Sequence, residues 1–151
     1  MSEKTGNSKL ETRNSRVIGI VPRKTGAIRD FKDLEVWRAA RELRKEVYQL
    51  ARLLPEIEKF GLASQLRRAA CFVTANIAEG FGRFGYQENA QLCRQARGSL
   101  YEVRDHLTTC VDEGYVSLDE GTRLDKLAQR VTQLLNGYLR STLALKAATH
   151  E

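Results

Sequence analysis

The sequence predicts an all-α protein, an antiparallel up-down-up-down four-helix bundle that follows a disordered N-terminal tail. Four segments carry apolar residues at alternating spacings of three and four, which places those residues on one face of a helix. No segment shows the alternation that is typical of a β-strand. The connections between the four segments are roughly 5–10 residues long, which favours antiparallel neighbours.

Composition bounds the class of protein. A chain of 151 residues with 42% hydrophobic and 29% charged residues is long enough for one domain with a real core. No apolar run could span a bilayer, and the N-terminus lacks the apolar core of a signal peptide, so we expect a cytoplasmic protein with no membrane partner. Cys71, Cys93 and Cys110 are odd in number and form no CxxC motif, which predicts reduced, buried side chains.

The basic charge is unevenly distributed along the chain. The formal net charge is +6, of which residues 1–29 contribute +5 and residues 30–151 only +1. Residues 1–29 are also polar and without a helical period, so we predict a basic flexible tail there and a bundle domain over 30–151. A nearly neutral body binds phosphate only where its positive charges cluster locally.

The first two helices are predicted at Asp33–Leu54 and Leu62–Glu79. Asp30 or Asp33 can cap the first helix, and Pro55 ends it. The second helix begins after Gly61 and is predicted to stop before Gly80. It is apolar around most of its circumference, which is typical of a central helix or of one that contacts a second chain. The predicted seam of the first helix consists of Val36, Ala40, Leu43, Val47, Leu50 and Leu54.

The third and fourth helices are predicted at Tyr86–Glu113 and Leu118–Ala147. Gly98 lies mid-helix, where glycine costs about 1 kcal/mol relative to alanine, so we expect a close approach of another helix there. Gly114 fits the C′ position, and Ser117 with Glu120 forms a capping box. The seam of the third helix consists of Cys93, Ala96, Leu100, Val103, Leu107 and Cys110; that of the fourth consists of Leu124, Leu127, Val131, Leu134, Tyr138 and Leu145.

The sequence contains no recognisable catalytic constellation. His106 has no second metal ligand at helical spacing, so we predict no metal, no cofactor and no small-molecule substrate. A polar group on the second helix, formed by Ser64, Gln65, Asn76 and Glu79, is interpreted as structural. We expect Asn76 and Glu79 either to satisfy backbone groups at the glycine-rich end or to pair with Arg67, Arg68 or Arg83.

An arginine stripe on the third helix is the candidate binding surface. Arg94, Arg97, Tyr101 and Arg104 follow spacings of 3-4-3 beside the core seam. Guanidinium groups interleaved with an aromatic ring can bind phosphates and stack a base, with Arg67, Arg68 and Arg83 as further phosphate contacts. The alternatives are a solvated face with local pairs, such as Tyr101 with Asp105, or an interface between copies of the chain.

Four motifs together resemble a known family. They are Phe31-x-x-Leu34-x-Val36-Trp37, Gly61-Leu62-x-Ser64-Gln65-Leu66-Arg67-Arg68-Ala69-Ala70, Asn76-Ile77-Ala78-Glu79-Gly80-x-Gly82-Arg83 and Ala96-Arg97-Gly98-Ser99-Leu100-Tyr101-Glu102. In this order and spacing they resemble the bacterial four-helix bundle protein family, also called the 23S rRNA intervening-sequence protein family. The resemblance covers about Asp30–Thr142.

The resemblance implies a small cytoplasmic all-α protein that is not an enzyme and that self-associates, in several relatives as a ring of five. More distant relatives are accessory proteins of retroelements and engage nucleic acid through basic surfaces, from which the nearly neutral body of this chain departs. The leading hypothesis is therefore a homo-oligomeric interaction scaffold. The alternative is an accessory protein that binds RNA or DNA through the arginine stripe.

Overall fold

The computed structural model describes residues 27–149, and the regular structure in that range is entirely helical. The four long helices are α1 (Glu35–Leu53), α2 (Leu62–Gly82), α3 (Tyr86–Asp112) and α4 (Leu118–Ala148). Short 3-10 turns occupy Phe31–Asp33 and Glu56–Glu58. The all-α prediction is confirmed, whereas the predicted flexible tail lies, up to residue 26, outside the described residues.

Each helix packs against two others. α1 packs against α2 and α4, and α3 packs against the same two helices, while the described residues of the diagonal pairs make no close backbone contact. Asn89 of α3 bonds to Tyr138 of α4, and Arg104, further along α3, bonds to Asp125, which comes earlier in α4. The two helices are therefore antiparallel. This arrangement is compatible with the predicted up-down-up-down topology.

The predicted seams of the first and third helices lie in the core, which residues of all four helices form. All six seam residues of α3 are buried, and those of α1 are buried except Leu54, which is half-buried. On α4 the buried line includes Ala128, Leu135 and Leu139, whereas Leu145 is 54% exposed and does not belong to the core. The apolar stripe of α4 is wider than one seam, so its spacing did not fix which residues face inward.

Two glycines behave differently from the prediction. α2 does not stop at Glu79 but continues through Gly80 to Gly82. Gly80 is buried against α3, and a Cβ there would lie 2.5 Å from Asn89 Oδ1 and 3.3 Å from its Cα, so this glycine permits close packing rather than ending the helix. A Cβ on the exposed Gly98 would meet nothing within 4 Å, so the close approach expected there does not occur among the residues that the structure describes.

The helix ends follow local capping chemistry. Ser117 Oγ accepts a hydrogen bond from the Glu120 N–H at 3.1 Å, as a capping residue should. Gly114 adopts the left-handed conformation, with a φ of +72°, after α3. The cap of α1 is Leu34, without a side-chain bond, because Asp30 and Asp33 cap the preceding 3-10 turn instead.

Candidate functional site

Two arginines of the predicted α3 stripe are engaged by α4. Arg104 donates to both carboxylate oxygens of Asp125, at 2.7 Å from Nε and 3.4 Å from Nη2. Arg97 donates from Nη1 to the side-chain oxygen of Asn136 at 3.1 Å. These bonds join α3 to α4, so the two guanidinium groups already have partners within the chain.

The pair of Arg104 and Asp125 is partly sheltered from water. The two side chains are 32% and 30% exposed. The hydrogen bond from Arg104 holds the pKa of Asp125 below its usual value, and the amide of Gln129, which donates at 2.6 Å, acts in the same direction. An external phosphate would therefore have to displace a carboxylate that accepts bonds from two side chains.

Arg94 and Tyr101 are the accessible members of the stripe. Arg94 is exposed, and it forms no ion pair within residues 27–149. Tyr101 is 54% exposed, and the guanidinium carbon of Arg104 lies 5.4 Å from the centroid of its ring. A base could stack on the Tyr101 ring only where this cation leaves it uncovered.

The three arginines predicted on or beside α2 do not form one patch. Arg67 donates to the backbone oxygen of Lys59 at 3.4 Å, and Arg68 lies over the ring of Phe72 at 5.4 Å. Arg83 is sixteen residues beyond Arg67, so the two lie about 24 Å apart along the helix axis. Arg83 pairs with Glu79 through Nη2 at 2.5 Å, one of the pairings that the sequence left open.

The polar group of α2 is divided in the same way. Asn76 and Ser64 are half-buried and Gln65 is exposed, and no side-chain hydrogen bond joins them to the residues the structure describes. Glu79 and Arg83 instead border an open groove of about 590 Å³ between the end of α2 and the start of α3. Its other lining residues are Gln87, Glu88, Gln91, Leu92 and Gln95, and this set holds no paired nucleophile and base.

The structure also reveals a basic groove that the sequence analysis missed. The groove has a volume of about 320 Å³ and follows the surface of α1 where that helix meets α2. We call this groove, together with Arg67 on the facing side of α2, the α1–α2 basic groove. Its lining residues on α1 are Arg44, Lys45, Tyr48, Gln49 and Arg52.

Contacts to α2 fix the orientation of the groove. Arg44 donates from Nη1 to Thr74 Oγ1 at 2.9 Å, and Tyr48 OH lies 3.0 Å from Cys71 Sγ. The pKa of Tyr48 is raised, first by the contact with Cys71 and by burial, while the nearby charges of Arg67 and Arg44 act in the opposite direction. Guanidinium groups from both helices therefore lie close to the Tyr48 hydroxyl. The signal in the sequence was the spacing of four between Arg44, Tyr48 and Arg52.

Within residues 27–149, the remaining groups of interest are possible metal ligands and the three thiols. No cluster of three metal-ligating side chains occurs within residues 27–149. Burial raises the pKa of Cys93 and of Cys110 to about 11, which fits their predicted role as small core residues, whereas Cys71 is half-buried. In the same range, no helix combines the length and apolar character needed to cross a bilayer.

The fold defines a class of protein: an all-α protein of four packed helices. The family model for the 23S rRNA-intervening sequence protein matches residues 32–137. That match covers more than half of the chain, so the chain belongs to the 23S rRNA-intervening sequence protein family, as the motifs predicted. A search among curated proteins found no match.

Proposed function

We propose that the chain is a non-enzymatic, homo-oligomeric four-helix bundle of up-down-up-down topology that acts as an interaction scaffold. A ring of five is the stoichiometry that the family resemblance implies. The observation that carries the proposal is the apolar α1–α2 connection, in which Leu53, Ile57 and Phe60 are 82%, 83% and 89% exposed. Large apolar side chains so exposed and so close in sequence are typical of a protein–protein contact.

The surroundings of this connection suit contact with a second copy. Glu56, Glu58 and Lys59 place both signs of charge beside the apolar side chains, so a copy can meet a copy without strong repulsion. The nearly neutral net charge of residues 30–151 acts in the same direction. The half-buried thiol Cys71 supports the proposed cytoplasmic location, since a reducing compartment preserves such thiols.

Light scattering on the full chain tests the scaffold proposal. At micromolar concentration we expect the mass of an oligomer, which is several times the 17.1 kDa of one chain. The double variant Ile57→Ser/Phe60→Ser should dissociate toward monomer, because it removes the apolar contact while leaving the core intact. Phe84→Ser is the matched control, because Phe84 is also 89% exposed but lies in the α2–α3 connection. A monomeric wild-type protein, or equal dissociation by the control, would contradict the proposal.

A second candidate function is binding of RNA or DNA, which the family's name also suggests. The supporting observation is that basic side chains gather on one face, at the α1–α2 basic groove, where Arg44, Arg52 and Arg67 have no carboxylate partner among the described residues. Titration of the full chain with a labelled RNA hairpin and a labelled DNA duplex tests this function. We expect affinity to fall steeply as salt rises from about 50 to 200 mM; no binding at the lower salt concentration would rule this function out.

A further inference from the structure

We infer that the α1–α2 basic groove, and not the arginine stripe of α3, binds the phosphodiester backbone of a nucleic-acid strand. The inference rests on the second candidate function and names its site. It arises from a contrast in charge pairing: Arg104 of the α3 stripe is paired with the carboxylate of Asp125, whereas most cations of the groove have no anionic partner among the described residues.

Few negative charges oppose the groove. Among the described residues, none of the groove's lining side chains is a carboxylate, and Arg44, Arg52 and Arg67 take part in no ion pair there. Lys45 pairs with Glu42 at 3.4 Å, but these side chains are 55% and 59% exposed, and such pairs are weak in water. The positive potential of the groove therefore remains available to an external anion.

The cations are held in place by neutral partners. Arg44 donates one hydrogen bond to the hydroxyl of Thr74, which is only 3% exposed, and Arg67 donates one to the backbone oxygen of Lys59. A guanidinium group has five N–H donors, so most donors of each arginine stay free. Because neither partner is an anion, these bonds orient the side chains without neutralising them. Such donors suit bidentate binding of phosphate oxygens.

The dimensions of the groove suit a repeating anion. Arg44 and Arg52 are eight residues apart on one helix, which separates them by about 12 Å along the axis. A strand whose bases are stacked as in a helix places a phosphate about every 3.4 Å along its axis, so the groove length corresponds to about three phosphates. The tyrosine ring is half-buried and its hydroxyl contacts Cys71, so recognition is by phosphate and not by base stacking.

The test compares two variants of the full chain that lose equal charge. The groove variant is Lys45→Gln/Arg52→Gln/Arg67→Gln, which keeps the bond between Arg44 and Thr74. The control is Arg94→Gln/Lys126→Gln/Arg130→Gln, which removes three exposed cations from α3 and α4. The probes are a labelled 20-nucleotide RNA and the DNA of the same sequence, titrated by fluorescence anisotropy at several salt concentrations, with circular dichroism to verify folding.

We expect the groove variant to bind at least about tenfold more weakly and to lower the salt slope by about 2, as the loss of three phosphate contacts on a single strand requires. The control should change affinity by less than about threefold, and RNA and DNA should bind alike. Binding by the wild type that both variants weaken equally would overturn the site while leaving the function intact. Absence of wild-type binding would overturn both. Groove-dependent binding of polyglutamate, without binding of either nucleic acid, would overturn the inference, because the ligand of the groove would then be an acidic protein.

Discussion

The α3–α4 seam and the α1–α2 seam differ in whether a carboxylate of the neighbouring helix pairs with their basic side chains. At the α3–α4 seam, Arg104 meets Asp125 and Arg97 meets Asn136, so these arginines help to hold the helices together. At the α1–α2 seam, Arg44 meets only the neutral hydroxyl of Thr74. The charge of Arg104 is thus compensated by a carboxylate of the neighbouring helix, whereas Arg44, like Arg97 with its amide partner, keeps a charge that no carboxylate in the described part of the chain compensates.

The difference shows that the residue supplied by the neighbouring helix determines whether the charge of an arginine is compensated. Spacings of three and four place basic side chains at the edge of the core on both α1 and α3. α4 supplies an anion at the facing position, Asp125, whereas α2 supplies another cation, Arg67. Three experiments test whether the α3–α4 seam is closed and paired and the α1–α2 seam open and unpaired.

The largest expected difference is in thiol labelling by a colorimetric disulfide reagent near pH 8. Burial raises the pKa of Cys93 and Cys110 from 9.0 to about 11, which lowers their thiolate fraction about a hundredfold, and both side chains are fully buried. Cys71, at the α1–α2 seam, is half-buried. We expect the thiol of Cys71 to react at least about a hundredfold faster than those of Cys93 and Cys110.

The variant Cys71→Ser assigns the fast thiol. It should remove the fast phase and leave the slow phases unchanged, because serine fills the same space without a reactive sulfur. Rapid reaction of two thiols in the wild-type protein would instead mean that the α3 side of the core opens as readily as the α1–α2 seam.

The second difference is in stability. Arg104→Ala should lower the free energy of unfolding by about 1–2 kcal/mol, because it breaks a partly sheltered two-bond ion pair and leaves Asp125 with only the bond from Gln129. Arg52→Ala is the matched change at the α1–α2 seam and should stay within about 0.5 kcal/mol of the wild type, as exposed substitutions do.

Urea unfolding measures both values, and a double-mutant cycle with Asp125→Ala isolates the pairwise part. The cycle should return a favourable coupling between Arg104 and Asp125. Additive single-variant effects would show that the pair contributes nothing beyond its separate side chains, and the contrast between the seams would then lose its energetic basis.

Most of the fold could be predicted from the sequence because periodicity reports which side of a helix is buried. All six predicted residues of the α3 seam are buried, since these apolar positions admit a single inward face, and the structure adds Ala90 to them. Glycine was less informative. The sequence predicted a helix end at Gly80 and a close approach at Gly98, yet Gly80 packs against Asn89 and Gly98 faces open space. Only the position of the neighbouring helix distinguishes them.

The candidate site was less predictable, for the same reason. The α3 stripe was visible from its spacing, but the partners of Arg97 and Arg104 are 39 and 21 residues away in the chain. No local sequence pattern predicts a pairing between residues so far apart in the chain. The α1–α2 basic groove was overlooked because Arg44, Lys45 and Arg52 resemble an ordinary solvated face until Arg67 of α2 is placed opposite them.

The smallest expected effect is on the pH dependence of stability. The pKa of Asp125 is lowered in the folded state, chiefly by the hydrogen bond from Arg104, so the folded protein holds the charged form more firmly than the unfolded chain does. This contribution is fully present above the unfolded pKa of about 3.9 and is lost as the pH falls through the lower folded value.

The comparison is between the wild type and Asp125→Asn, which keeps an oxygen to accept from Arg104 but cannot be charged. Their difference in unfolding free energy, below about 1 kcal/mol, should be constant from about pH 7 to 5 and should shrink below about pH 4. Unfolding in urea at a series of pH values measures it. A difference that persists unchanged at acid pH would mean that the asparagine loses packing or hydrogen bonding rather than charge, and that the α3–α4 seam does not depend on its ion pair.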